Sequence, residues 1–257
     1  MSKSLRWRAT ALHLGVGLIV GAVLAAVVFL AWYPAPLHRL AGGTHLFFIL
    51  LAVDVVLGPC LTFVVFGGRK LIRERMLDAS VIVLLQLAAM IYGMHVLYTA
   101  RPVALVYEYS KFTVLRAIDI PDAAGREFLA RTTASFHGLP VIALRPFASP
   151  EESARYTFEA LAGAPLQARR ELWTTIEKTG LVTPEAGHSL ERLASSAQHS
   201  ALLQSLTAYA RQANLSQAGL RFLPITDRDQ AWTAVFAPTP FQLIDLIPID
   251  PYENAAK

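Results

Sequence analysis

The chain has 257 residues, of which 54% are hydrophobic and 16% are charged, and its mean hydropathy is +0.43. Soluble domains usually contain about 25% charged residues, so this composition disfavours an ordinary soluble enzyme. A chain this apolar is not intrinsically disordered, because disorder requires low hydrophobicity. The single cysteine, Cys60, excludes both an intramolecular disulfide framework and a cysteine-rich zinc or iron–sulfur site.

Most of the apolar excess lies in three stretches within the first hundred residues. The first stretch has 30 consecutive uncharged residues and the third has 22, while the second is interrupted by one charge, Asp54. About 20 apolar residues are enough to cross a hydrocarbon core about 30 Å thick. The sequence therefore predicts three transmembrane helices, near residues 11–33, 46–66 and 77–98.

Basic residues beside these spans predict their orientation. Three precede the first span, one lies in the first loop, and four lie in the second loop, GGRKLIRERM. Because Lys and Arg are enriched in cytoplasmic loops, the N-terminus and the second loop are predicted to be cytoplasmic. Everything after Arg101 then lies on the opposite side, which is the periplasm in a bacterium. We expect the first span to be an uncleaved anchor, since its apolar stretch is longer than the about 7–15 residues of a signal peptide.

The net charge of +4 is unevenly distributed along the chain. The first hundred residues contain eight basic and three acidic residues, whereas the remainder contains 15 basic and 16 acidic residues. The basic character belongs to the flanks of the predicted spans. It therefore reflects membrane topology and does not indicate nucleic-acid binding.

The chain is thus predicted to consist of a three-helix transmembrane domain, residues 1–101, and a periplasmic α+β domain, residues 102–257. In the second domain, alternating apolar residues predict a β-hairpin over 103–118 that turns at Ser110-Lys111. The further predicted elements are a helix at 122–134, a strand at 139–147, a helix from Ser149 to Leu161, helices at 165–179, 184–196 and 198–213, and terminal strands with turns at 227–229 and 238–240. Strands before and after a run of helices indicate an α+β fold in which the first and last strands share one sheet.

Asp54 is the most informative residue of the predicted spans. A carboxylate inside a membrane is costly unless it faces protein or water and has a partner. Counting 1.5 Å per residue places Gln86 and Tyr92 of the third span on either side of its depth, so both are predicted hydrogen-bond partners. Three roles remain open: a neutral or paired residue that joins the second and third helices, a polar contact for a partner's membrane helix, and a proton relay.

Small residues and one proline are predicted to shape the helix bundle. Pro59 lacks an N–H and clashes with the carbonyl four residues earlier, so a kink is expected near Val55. The kink would either open a groove between helices or only determine how they pack. Small residues recur every four positions on one face of the first helix, where packing within the chain is the favoured interpretation: Gly17, Gly21 and Ala25.

The sequence contains no recognised catalytic or metal-binding motif. His188-Ser189 and His199-Ser200 are adjacent pairs whose side chains point in different directions on a helix, so we interpret them as solvated helix residues. Trp173 is interpreted as a core or interface aromatic. We therefore expect a protein that is not an enzyme and that binds no cofactor and no metal.

An ordered set of motifs in the first 118 residues resembles a known family. The set comprises WYPAP (32–36), AGG (41–43), VDVVLGP (53–59), Leu61-Thr62, Asp78, Gln86-Leu87, Tyr92-Gly93 and Arg101-Pro102-Val103. In order and spacing it resembles the type IV pilin accessory proteins of the TfpX/TfpZ type, which are related to the fimbrial accessory protein FimB. The resemblance covers residues 8–118 well and the rest of the chain only in general layout.

The resemblance implies a non-enzymatic, chaperone-like helper in the bacterial inner membrane, which binds a type IV pilin and supports its stability or its assembly into pili. Other pilus assembly proteins and membrane lipids are the further partners that it implies. The matching residues are candidates for partner contact or for architecture: Pro34, Gly43, Asp54, Gly58, Pro59, Gln86, Tyr92, Gly93, Arg101 and Pro102. We expect the second and third helices to hold the pilin's membrane helix and residues 103–257 to contact its head. The alternative is a membrane-anchored periplasmic sensor of a ligand.

Overall fold

The computed structural model describes residues 3–66, 71–120, 122–183, 187–189, 204, 207–208, 211, 220–228 and 230–250. The chain divides into two compact units, Met1–Arg101 and Pro102–Lys257. The first unit is helical and the second is a mixed β-sheet with helices, so the predicted fold class is confirmed.

Long apolar helices form the first unit. They are α1 (Lys3–Ala26), which continues as a π-helical turn (Val27–Trp32), the short α2 (Leu37–Leu40), α3 (Gly43–Ala52), which continues through a π-helical turn (Val53–Leu57) into α4 (Gly58–Val65), and α5 (Ile72–Ala100). Three helical stretches are long and apolar enough to cross a membrane: Trp7–Trp32, Gly43–Val65 and Ile72–Ala100. All three predicted spans are present, and the third begins five residues earlier than the sequence predicted.

The second unit is built on one mixed sheet, in which nine strands lie within the described residues. The strands are β1 (Pro102–Glu108), β2 (Lys111–Arg116), β3 (Ser135–Phe136), β4 (Leu139–Leu144), β5 (Trp173–Thr175), β6 (His188–Ser189), β7 (Arg221–Asp227), β8 (Gln230–Pro238) and β9 (Phe241–Ile247). The strand order is β3-β4-β1-β2-β7-β8-β9, with β5 paired to β4 and β6 paired to β7. Strand β2 pairs with β7 in parallel, which confirms that the first and last strands share a sheet.

Both faces of the central strands are covered. Ala104, Leu105 and Val106 are consecutive in β1, and none of them is exposed to solvent. On one face, Ala104 and Val106 belong to a core that also contains residues of the helices and turns beside the sheet. The sheet curls so that β3 and β9 approach each other, and the rings of Phe112 and Phe236 come within 6.3 Å. Burial on both faces explains why these strands are continuous apolar runs instead of alternating ones.

Two helices of this unit begin where the sequence predicts. Helix α6 (Ala123–Arg131) is capped by the Asp122 carboxylate, which accepts a hydrogen bond from the Gly125 N–H at 2.7 Å. Helix α7 (Pro150–Leu161) is capped by the Ser149 hydroxyl, which accepts one from the Glu152 N–H at 3.2 Å. Each cap satisfies a main-chain donor that the first helical turn leaves free.

The helix predicted at 165–179 is wrong. This segment forms short 3₁₀ turns around β5, which pairs antiparallel with β4 so that Trp173 lies opposite Leu144. Leu172 and Trp173 are adjacent and both buried, a pattern that one face of an amphipathic helix does not provide. Pairing with β4 therefore outweighed the helical tendency of the surrounding residues.

Smaller corrections concern the hairpin turn and His188. The turn of the first hairpin is Tyr109-Ser110, one residue earlier than predicted, with Tyr109 at φ +58°. The helix predicted at 184–196 is wrong at His188 and Ser189, which form β6 against β7. His188 is exposed, but on a strand. Residues 184–186 and 190–196 of that predicted helix, His199 and most of the helix predicted at 198–213 lie outside the described residues.

Candidate functional site: a polar groove in the helix bundle

The second span changes its helical type where the sequence predicts a kink. The π-helical turn Val53–Leu57 contains Val55 and ends two residues before Pro59. In a π-helix, each N–H bonds to the carbonyl five residues earlier. Five residues before Pro59 is Asp54, and proline has no N–H, so the Asp54 carbonyl cannot obtain that donor.

A side chain of the third span supplies the missing donor. The Gln86 amide nitrogen donates to the Asp54 carbonyl oxygen at 3.2 Å. The predicted contact between these two residues is thus present, but it involves the main chain of Asp54 instead of its carboxylate. Tyr92, the other predicted partner, is 71% exposed and forms no hydrogen bond with Asp54. Replacement of lost backbone donors by neighbouring side chains is how membrane helices tolerate proline.

Gly58 provides the space in which this contact forms. A Cβ atom at position 58 would overlap the Gln86 amide nitrogen and would lie 2.9 Å from Nε2 of His13. His13 belongs to α1, and its Nδ1 is 2.7 Å from the Thr62 hydroxyl. The absence of a side chain at Gly58 therefore allows polar side chains from all three spans, His13, Thr62 and Gln86, to meet at one place, the polar point of the groove.

Helix α1 packs closely against the second span through its small residues. A Cβ atom at Gly17 would lie 3.9 Å from the Asp54 carbonyl oxygen, and one at Gly21 would lie 2.6 Å from Cδ1 of Leu51. Gly17 and Gly21 of the stripe of small residues thus pack against the second span within the chain. Small residues permit such close approach of helix backbones in a membrane.

A groove of about 410 Å³ lies between the three spans. Most of its walls are aliphatic and aromatic side chains, including Val16, Leu50 and Val83. Its polar lining residues are His13, Asp54, Thr62 and Gln86. Oδ1 of Asp54 is buried and has no hydrogen-bond partner within the described part of the chain. The groove is therefore an apolar cleft with one unsatisfied acceptor in its wall.

Two of the ten residues named from the sequence line this groove, Asp54 and Gln86, and Gly58 contacts Gln86 beside it, one residue before Pro59. The others lie elsewhere in the structure. Gly93 packs against Leu50, since a Cβ there would lie 2.6 Å from its Cδ1. The Pro34 carbonyl accepts a hydrogen bond from the Leu37 N–H at 2.9 Å, and Pro102 is the first residue of β1.

Gly43 and Arg101 support the aromatic end of the bundle, beside α2. Tyr33 is fully buried there, and its hydroxyl donates to the Leu97 carbonyl at 3.0 Å. A Cβ at Gly43 would lie 2.5 Å from the Tyr33 ring. The Arg101 guanidinium lies 3.7 Å from the centroid of the Tyr98 ring.

Two further groove residues were not among the ten candidates: His13, which the sequence analysis did not name, and Thr62, which it named only as part of the family motif set. Their spacing could have identified them, because residues four apart lie on one face of a helix. His13 precedes Gly17 by four residues, and Thr62 follows Gly58 by four. Both therefore extend faces on which other residues had already been singled out.

The second unit contains a buried ion pair beside a polar cleft of about 460 Å³. The Arg116 guanidinium contacts the Asp227 carboxylate at 2.5 Å, and the two residues are 8% and 7% exposed. Burial raises the pKa of Asp227 above its ordinary value, and the charge of Arg116 opposes this shift. The pair connects β2 to β7. Within the described residues, no group of three or more His, Cys, Asp or Glu side chains could hold a metal ion.

These features define a class of protein: a multi-pass membrane protein whose third span is followed by an α+β domain. Residues 2–42 match the family described as "Fimbrial assembly protein FimB". The chain is 30% identical over 236 residues to the fimbrial assembly protein of serogroup I of Dichelobacter nodosus, covering 87% of this chain and 88% of the relative. The protein of serogroup E1 matches with the same identity and coverage. That of serogroups C1 and C2 is 41% identical over 109 residues, which cover 42% of this chain and 83% of the relative.

The chain therefore belongs to the FimB family of fimbrial assembly proteins. This is a family of assembly proteins and not a known enzyme family. No solved structure matches the chain.

Proposed function

We propose that this protein is a chaperone-like accessory factor of the bacterial inner membrane, which binds a type IV pilin and supports its stability or its assembly into pili. Residues 1–101 act as the membrane domain and residues 102–257 as the periplasmic domain, with the N-terminus in the cytoplasm. Membership of the FimB family supports a role in assembly. The basic residues that flank the spans support this orientation.

The groove between the spans is the observation that carries the proposal. An unassembled pilin has one long apolar helix in the membrane and a globular head outside it. A cleft lined by aliphatic side chains from three helices can receive one face of such a helix. Without a hydrophobic driving force inside the bilayer, close packing and hydrogen bonds must supply the affinity, and the groove offers both.

The ten residues named from the sequence then differ in role. Asp54 and Gln86 line the groove, while Gly58 provides the space and Pro59 the unpaired Asp54 carbonyl that allow the two residues to bond. Gly43, Gly93 and Arg101 maintain the packing of the helix bundle, and Pro34 and Pro102 belong to a turn and to β1. Tyr92 is exposed and is a candidate for partner contact. The pilin's head contacts residues 103–257, and other pilus assembly proteins and membrane lipids complete the set of partners. The sheet domain is near neutral in charge, which does not favour nucleic acid as a partner.

Deletion of the gene tests this function. We expect either a lower pilin level or a normal pilin level with few surface pili. The first result identifies a stabiliser of pilin and the second a factor for assembly. A plasmid copy should restore the wild-type state, and so should the variant Ser80→Ala, which removes an exposed hydroxyl bonded only to its own helix. Unchanged pilin together with normal pili would contradict the proposal.

A further inference from the structure

The polar residues of the groove differ in whether their hydrogen bonds are satisfied. His13 and Thr62 bond each other, and Gln86 bonds the Asp54 main chain. The Asp54 carboxylate lines the groove, yet its Oδ1 has no donor among the described residues. Oδ1 itself is buried, but rotation about the Cβ–Cγ bond exchanges it with the second oxygen of the same carboxylate, so a donor that enters the groove can pair with this group.

A hydrocarbon occupant would leave this acceptor unsatisfied. Lipid chains and apolar side chains carry no donor, and an unpaired carboxyl in an apolar environment is costly. A protein helix that presents a hydroxyl, amide or amine at this depth would satisfy it. The unsatisfied oxygen therefore favours a helix with a polar position over a lipid chain.

We propose that the groove recognises an apolar transmembrane helix of a partner protein by one hydrogen-bond donor, which pairs with the carboxylate of Asp54. This inference rests on the proposed function, in which the partner is a pilin, and adds the chemistry of the contact. The apolar walls bind the helix, and the donor fixes its depth and rotation. Asp54 is thus a specificity residue, because helices without a donor at that position bind more weakly.

Site-specific photocrosslinking in living cells tests the inference. A photoreactive amino acid at Val16, a groove residue adjacent to Gly17, captures whatever occupies the groove. The yield of the pilin adduct is then compared among the wild type, Asp54→Asn and Asp54→Leu. Asparagine keeps an acceptor oxygen, whereas leucine has a similar size and accepts no hydrogen bond. We expect the asparagine variant to stay within about twofold of the wild type and the leucine variant to fall about three- to tenfold, the range set by hydrogen bonds between membrane helices.

The outcomes separate this inference from the proposed function. A pilin adduct whose yield is the same with Asp54→Leu would overturn the role of Asp54 and leave pilin binding intact. Equal losses with asparagine and leucine would also overturn it, because an acceptor oxygen would then be insufficient. No pilin adduct in the wild type, or lipid adducts alone, would overturn both. Thermal unfolding in detergent verifies that each variant folds, and Asp54→Ala replaces the leucine variant if that one does not.

Discussion

At the scale of single residues, Gly58 is the position on which the polar point of the groove depends. The Gln86 amide occupies the space where any larger residue would place its Cβ. From there it reaches the Asp54 carbonyl, whose main-chain donor is lost because of Pro59. Gly58, Pro59 and Gln86 are therefore structurally coupled, and a substitution at any one of them should change the contacts of the other two.

We predict that Gly58→Ala destabilises the helix bundle by about 1 kcal/mol. The methyl group displaces the Gln86 amide and breaks its hydrogen bond, which outweighs the better helix propensity of alanine. In a Gln86→Ala background the amide no longer occupies this space and the bond is already absent, so only the His13 ring opposes the methyl group and the same change should cost about 1 kcal/mol less. The free energy of unfolding in detergent, measured for the four proteins of this cycle, gives the coupling between the two sites.

Gly15→Ala is the matched control, since no atom lies within 4 Å of a Cβ at that position of α1. This substitution should leave the free energy of unfolding unchanged or raise it. Additive effects of Gly58→Ala and Gln86→Ala would show that the two residues do not share this space.

At this scale the sequence predicted which residues form the polar contacts of the bundle, but it did not predict which of their atoms take part. Pro59 predicted a kink near Val55, and the helix changes there to a π-helical turn, because the absence of an N–H is a property of proline itself. The depth count paired Gln86 with Asp54 correctly, but it also selected Tyr92, which is exposed. Depth along a span does not specify the direction in which a side chain points, so the main-chain acceptor could not be predicted.

At the scale of elements, the N-terminus of α7 is anchored by more than its cap. The Glu152 carboxylate accepts hydrogen bonds from the Arg145 guanidinium at 2.8 and 3.0 Å and from the Ala148 N–H at 2.5 Å. The bonds from Arg145 and then from Ala148 lower the pKa of Glu152 from 4.5 to about 2. This carboxylate attaches α7 to the residues that follow β4.

We predict that Glu152→Gln removes a pH-dependent part of the stability of the sheet domain. The pKa of Glu152 is lower in the folded protein than in the unfolded chain, so its contribution is complete above about pH 4.5 and is lost as the pH falls towards 2. The melting temperatures of the wild type and the variant should therefore differ at pH 6, and the difference should be clearly smaller at pH 3. Thermal unfolding followed by tryptophan fluorescence, in detergent, measures both.

Arg145→Met removes the main partner of Glu152 and serves as the companion variant. This variant should reduce the same pH-dependent difference without abolishing it, because the Ala148 N–H still donates to Glu152. The loss of the other contacts of Arg145 adds a destabilisation that does not depend on pH. A difference between wild type and Glu152→Gln that is equally large at both pH values would contradict the assignment.

Helices and strands with local determinants were predictable, and those fixed by tertiary pairing were not. Ser149 and Pro150 determine the start of α7 by themselves, and the two apolar runs on either side of Tyr109-Ser110 determine the first hairpin. The segment at 165–179 has helical composition, yet Trp173–Thr175 pairs with β4. That choice depends on a strand about 30 residues earlier, which local sequence does not encode.

At the scale of the whole molecule, the distribution of charge predicts how the chain lies in the membrane. In a Cys60→Ser background, we expect a cysteine at position 110, in the hairpin turn, to react with a membrane-impermeant maleimide in intact cells. A cysteine at position 2 should react only after the inner membrane is permeabilised. The Cys60→Ser protein without an added cysteine is the blank, and the opposite labelling pattern would reverse the proposed orientation.

The central claim is that the groove between the spans holds the membrane helix of a pilin, and two neighbouring positions on α5 test it most directly. Val83 lines the groove, whereas Leu84 is 65% exposed and does not. With a photoreactive amino acid at each position in turn, in cells that produce the natural pilin, we predict a pilin adduct from position 83 and little or none from position 84. No pilin adduct from position 83, or equal adducts from both positions, would contradict this account.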